Sequence, residues 1–281
     1  MEVTLLQYMA ALAAALAAGL GKTGLVGASI LMVPLMVSAF PPGRQAGIML
    51  PVLLAADILA VAWYRRAGRV RLVLRTLPWA VAGIAVGFLI LRLFIAEDAP
   101  YHSPDSDLWL RRALGAGILA MIGIGLRVGG LVGSCAPQDP VGDTAPVSGA
   151  SVPKTGEETP LAISGAWLAP LVGAAAGLAS IVANASGPIW IIYLIMLRLP
   201  KREFIGTSAW AFLIIDCVKL PLQISLGHIG PDTLLLNAWM LPGLAAGCAL
   251  GIWVLPRVEQ KRFNRAAAAL AALGGVYLLL G

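Results

Sequence analysis

Charge is scarce in this sequence. Of 281 residues only 12% are Asp, Glu, Lys or Arg, against 59% hydrophobic, and the mean hydropathy is +0.86, far from the balance of a soluble domain. Catalytic vocabulary is scarce as well. The two histidines, His102 and His228, stand in loop stretches, and there is no His-Glu-x-x-His helix, no Gly-x-Ser-x-Gly turn and no cluster of cysteine with histidine. Asp57 and Asp216 lie in apolar runs, as an intramembrane aspartyl protease would require, yet neither carries the tyrosine or glycine pattern of such enzymes. The chain is therefore not read as an enzyme, and no cofactor is expected. The three cysteines, Cys135, Cys217 and Cys248, lack paired-ligand spacing, which excludes a disulfide framework and argues against a metal site. A net charge of +6 sits mostly in loops, which suits membrane orientation and gives no reason to expect nucleic acid as a partner.

What fills the chain instead is a succession of apolar stretches: 4–39, 48–64, 72–95, 108–133, 161–197, 205–226, 233–255 and 266–281. Most approach the roughly 20 residues that cross a hydrocarbon core, and lipid offers backbone groups no partners, so these stretches must be helical. The fold class expected is an all-α polytopic membrane protein. The first stretch lacks a basic region before it and runs past any cleavage point, so a removed signal peptide is not expected.

Sliding the sequence along itself by roughly 158 to 160 residues brings landmarks into register. Gly19 falls on Gly177, Pro42 on Pro200, Asp57 on Asp216, Gly68 on Gly227, Gly83 on Gly243 and Gly87 on Gly247. The expected organisation is a first membrane repeat over 1–133, a flexible cytoplasmic linker rich in Pro, Gly, Ser and Thr over 134–160, and a second repeat over 161–281. Lysine and arginine mark cytoplasmic loops. In the first repeat "YRRAGRVR" (64–71) is strongly basic, but its counterpart "GHIGPD" has neither residue, while the flanking "RLPKREF" and "PRVEQKRFNR" are basic. The two repeats are thus expected to have inverted topology. Each long stretch, 4–39 and 161–197, must then begin and end on one side, as a re-entrant or broken helical hairpin with arms of roughly 14 residues, followed by transmembrane helices.

Irregular backbone at membrane depth is tolerated where it is enclosed in protein or lines a wet cavity. The expected tips are "GLGKTGLVGA" (19–28) and "ANASGP" (183–188). The returning arms would present free N–H groups and a positive dipole end, which favours an anion. Asn184 or Ser186 can cap the second arm, and Pro188 suits a first helical turn. The competing explanation for the glycines is close helix packing. Buried charges need an account of their own. Lys22 and Lys219 are the expected anion-attracting charges. Thr23, Gly24, Asn184, Ser186, Gly187, Thr207, Ser208 and Gln223 complete the expected substrate-binding set. Asp57 and Asp216 stand as candidates for coupling to a proton or other ion, or as structural partners of the lysines; Asp216 and Lys219 are three apart and can neutralise each other.

The stretches "KTGLVGASILMVPLM", "LPVLLAADILAVAWYRRAG" and "LPWAVAGIAVG", with "ANASGPIWIIYLIMLRLPKREFIGTSAWAFLIIDCVKLP" in the second half, resemble the sulfite exporter TauE/SafE permease family. Asn184, Gly187, Pro188, Tyr193, Pro200, Lys201, Phe204, Gly206, Thr207, Trp210, Lys219 and Pro221 stand where that pattern has them, whereas Asp216 occupies a position at which relatives usually carry asparagine. The resemblance implies a secondary transporter exporting small sulfur-containing anions, such as sulfite or organosulfonates, across a bacterial inner membrane. The partners expected are that anion, membrane lipid, a coupling proton or ion, and a second copy in a homodimer. A small-anion channel and a non-transporting membrane assembly factor are the alternatives.

Overall fold

A computed structural model describes residues 4–25, 28–40, 44–96, 160–183, 186–197, 199–225 and 227–280. The apolar stretch 108–133 and the expected linker, apart from Pro160, lie outside the described residues. Everything regular among those described is helix. In chain order the helices are α1 (Leu5–Thr23), a 3-10 turn (Ala28–Leu31), α2 (Met32–Ala39), α3 (Arg44–Tyr64), α4 (Val70–Ala96), α5 (Pro160–Ala183), α6 (Ser186–Met196), α7 (Lys201–Ser225), α8 (Pro231–Val254) and α9 (Gln260–Leu280). Five helical spans, 5–23, 47–64, 70–90, 201–225 and 231–257, are long and apolar enough to cross a bilayer. The chain is an all-helical, multi-pass membrane protein.

Both long stretches break, but not into equal arms of about 14 residues. The first arms are whole helices of 19 and 24 residues, and the returning helices α2 and α6 have 8 and 11. The difference arises because Gly19 and Gly21 do not interrupt α1; the helix runs through both to Thr23 and ends at Gly24. Thr4 opens α1 with a capping box, its hydroxyl accepting from the Gln7 N–H while the Gln7 side chain accepts from the Thr4 N–H. The Gln7 side chain also donates to the Ala39 carbonyl at 2.9 Å. The start of α1 and the end of α2 therefore meet, and the segment doubles back on itself. Sixteen residues of helix separate Gln7 from Thr23, so the tip lies roughly 24 Å from that meeting point.

Glycines decide how the helices pair. A Cβ on Gly19 would strike the Leu244 carbonyl of α8, and one on Gly247 would strike the Leu16 carbonyl of α1. The same contact recurs between α4 and α5, where a Cβ on Gly83 would meet the Ala174 carbonyl and one on Gly177 the Ala80 carbonyl. Small residues let these backbones approach closely enough for dispersion to hold helices together in a solvent that supplies no hydrophobic drive. For Gly19 and Gly177, close packing is thus the role observed. Helices α3 and α7 lie antiparallel along their length: Gly206 touches the Tyr64 carbonyl and Gly68 at one end, and Gly47 touches His228 at the other. Every one of these pairings joins an element of the first half to one of the second.

Candidate functional site

The seam between α3 and α7 holds the buried charge. Lys22, in the last turn of α1, reaches Asp57 of α3: Asp57 Oδ2 accepts a hydrogen bond from Nζ at 3.0 Å, and Oδ1 lies 2.8 Å from the same nitrogen outside hydrogen-bond geometry. Asp57 has no exposed surface, and the Lys22 side chain retains 9%. The ammonium also sits 4.0 Å from the centroid of the Phe212 ring of α7, a cation–π contact. Phe212 is in turn set by Trp190 of α6, whose ring meets it edge-on with centroids 6.5 Å apart. On α7 itself, one turn of helix places Lys219 Nζ 3.0 Å from Asp216 Oδ1, as the three-residue spacing anticipates. Lys219 also points to the Ser180 carbonyl of α5 at 3.5 Å.

The two pairs form one electrostatic cluster, since the carboxyls of Asp57 and Asp216 lie within interaction range of each other and Asp216 also feels Lys22. Two ammoniums and two carboxylates balance. An unpaired charge at this depth would be costly, and the pairing is what makes four ionisable residues tolerable there. The lysines are not bare positive charges waiting for an anion; each already holds a carboxylate.

The other expected site residues divide by position. Thr23 is buried and donates to the Gly19 and Cys248 carbonyls, while its own carbonyl accepts from the Tyr64 hydroxyl at 3.0 Å. It fastens the tip to α8 and α3. Gly24 ends α1 directly against Gly251. Ser186 and Gly187 open α6, Ser186 buried and Gly187 with no atom within 4 Å of where a Cβ would stand, so there is open space beside that helix terminus. Asn184 lies outside the described residues. Thr207 and Ser208 stand roughly 18 Å along α7 from Lys219. There Thr207 accepts from the Arg69 backbone at 2.9 Å, and Ser208 back-bonds to the Phe204 and Ile205 carbonyls. Gln223, near the far end of α7, holds the His228 ring at 2.6 Å. The structure thus gathers Lys22, Asp57, Asp216 and Lys219, and gives Thr207, Ser208 and Gln223 partners outside that cluster.

Two contributors carry no signal in the sequence. Phe212 is one aromatic residue in an apolar run, and nothing local marks it as the seat of an ammonium. Ser180 is one small residue in "GLASIVA", yet its hydroxyl is buried without a hydrogen-bond partner beside the carbonyl that Lys219 approaches. The amphipathic logic that finds surface helices fails here, because lipid-facing and protein-facing positions are equally apolar.

A sequence model of the sulfite exporter TauE/SafE family matches residues 11–278, nearly the whole chain. The chain belongs to the sulfite exporter TauE/SafE family. The match takes in all but the first turns of the first hairpin, the whole of the second, the α3–α7 seam and all four charged residues of the cluster. This is a family of exporter-type permeases for sulfite and related sulfur anions, not of enzymes. No curated protein and no solved structure matches the chain.

Proposed function

We propose that the protein is a secondary transporter that exports a small sulfur-containing anion, a sulfite or an organosulfonate, across a bacterial inner membrane, binding it at the Lys22–Asp57–Asp216–Lys219 cluster. The observation that carries this reading is the pair of buried lysine–aspartate contacts on the seam between the two halves. A purely structural core would favour apolar residues of similar volume at those positions, whereas intramembrane ionisable residues facing a bundle interior mark a substrate or ion path.

In this mechanism the anion competes with the carboxylates for the lysines. An oxyanion approaching Lys22 takes the place of Asp57, and the added negative charge is offset by a proton taken up at the neighbouring Asp216, which couples substrate binding to proton movement. Ser180 and the N–H groups at the start of α6, beside the open space at Gly187, supply hydrogen bonds to the remaining oxygens. Contacts of α1 with α8, repeated by α4 with α5, support two halves inserted in opposite senses, so that rocking of one against the other exchanges access to a central site. Repeats over 1–133 and 161–281 fit this scheme, with the basic loops 64–71 and 201–202 on the cytoplasmic side.

Export into and out of proteoliposomes tests the reading. Radiolabelled sulfite and a panel of sulfonates and carboxylates should reveal one class that moves saturably and shows counterflow, with flux that responds to an imposed pH gradient. Lys22→Ala and Lys219→Ala should each abolish that flux in protein that still inserts and stays monodisperse. Normal flux in both variants refutes the site, and flux that neither saturates nor shows counterflow refutes the transporter in favour of a channel.

A further inference from the structure

At the basic end of the bundle, α3, α7 and α8 enclose a cleft of about 660 Å³ whose lining includes Trp63, Arg65, Arg66, Arg202, Ile252 and Pro256. Three guanidiniums line it. The opposite wall is apolar and belongs to the outer surface: Trp63 is 64% exposed, and Trp253, next to the lining residue Ile252 and 57% exposed, carries the Arg257 guanidinium 3.8 Å from its ring. Outward-facing tryptophans beside arginines mark the level at which a membrane helix leaves the hydrocarbon for the headgroup layer. The cleft therefore opens where a lipid phosphate lies, with cations inside it and an apolar wall below.

We propose that this cleft binds an anionic phospholipid from the surrounding bilayer, its phosphate among Arg65, Arg66 and Arg202 and an acyl chain along Trp63 and Ile252. Basic pockets between transmembrane helices recognise anionic headgroups by this combination of charge and apolar wall. Guanidiniums suit the task because their planar donors engage two phosphate oxygens at once. A bound lipid would join the turn after α3 to the first turn of α7 and the end of α8, thereby bridging the two halves at the end where both halves carry their basic loops. This inference requires only that the chain lies in a membrane; it stands or falls separately from the transport mechanism.

Native mass spectrometry of the purified full chain, titrated with phosphatidylglycerol or phosphatidylcholine, tests it. One phosphatidylglycerol should bind in clear preference to phosphatidylcholine. Affinity should fall about fivefold for each guanidinium lost and on the order of a hundredfold in Arg65→Gln/Arg66→Gln/Arg202→Gln, the scale expected of basic residues near an anionic surface. Arg65→Gln/Arg66→Gln, confined to the exposed turn after α3, gives an intermediate loss and guards against misfolding of the triple variant. Soluble glycerol phosphate should not compete at concentrations equal to those of the lipid. Equal binding of the two lipids, undiminished binding by the triple variant, or full competition by glycerol phosphate would each overturn the proposal.

Discussion

Replacing Lys22 by methionine keeps most of the side chain's length but removes the charge that Asp57 needs. Asp57 is wholly buried, and its carboxylate lies 2.8 and 3.0 Å from the Lys22 ammonium, so the single change strands a buried anion and should cost about 3–5 kcal/mol. Asp57→Asn should cost less, about 1–3 kcal/mol, because the ammonium keeps the Phe212 ring at 4.0 Å and a cation–π contact offsets part of the loss. In Lys22→Met/Asp57→Asn neither charge remains, and the asparagine amide can donate to the neighbouring Asp216 carboxylate, so stability should return to within about 1 kcal/mol of the parent. The cycle should thus yield a coupling energy of about 3–8 kcal/mol, well above the ~0.5 kcal/mol scatter of independent sites. Unfolding in mixed micelles titrated with a denaturing detergent measures it, with the eight tryptophans as the fluorescent signal. Transport separates structure from function: the double variant should be stable and inert. Additive losses would show that the pair is not energetically a pair, and a stable double variant that transports normally would remove Lys22 from the mechanism.

Gly247→Val should lower thermal stability by more than about 1–3 kcal/mol, the usual cost of overpacking, because its side chain would meet the Leu16 backbone, which cannot rotate away. Gly187→Ala, with nothing within 4 Å of the new methyl group, should change stability by under about 0.5 kcal/mol while reducing saturable flux, a contrast readable from paired melting and efflux curves. Tyr64→Phe removes the hydroxyl that donates to the Thr23 carbonyl at 3.0 Å, and should cost about 1 kcal/mol in the same unfolding assay. Asp216→Asn takes the carboxylate from Lys219, 3.0 Å away; efflux should persist but lose its dependence on an imposed pH gradient, and unchanged dependence would exclude Asp216 from coupling.

Helical, membrane-spanning character follows directly from apolar run length, because a chain in lipid has few other ways to satisfy its backbone. Where the hairpins break does not. Glycine in "GLGKTGLVGA" is compatible both with a turn and with a helix pressed against a neighbour, and the choice at Gly19 depends on α8, more than two hundred residues away in sequence. The local pair Lys219–Asp216 was legible from its spacing. For Asp57 a lysine partner was one of two readings, but not which lysine, since Lys22–Asp57 joins separate helices across 35 positions. Thr207 and Gln223 read as donors in the same helix as Lys219, but helical rise alone puts them roughly 24 Å apart. Their hydroxyl and amide were already engaged by Arg69 and His228, partners that local sequence patterning did not reveal.

The two ion pairs have different mechanical consequences. Asp216 and Lys219 lie on one helix, so breaking that contact changes charge without loosening any element from another. Lys22 instead spans elements: it binds Asp57 of α3 in its own half and the Phe212 ring of α7 in the other. Its neighbour Thr23 ties the same tip to α8 and, through Tyr64, to α3. An anion that drew Lys22 from Asp57 would thus weaken the hold of the hairpin tip on α3 while leaving Phe212 and the Thr23 contacts in place. A ligand shifts a conformational equilibrium only through contacts that differ between the states. On the proposed mechanism Lys22–Asp57 is such a contact, whereas Asp216–Lys219 can only report protonation. Binding and coupling would then reside in different pairs, close enough to influence each other's charge yet separable by substitution.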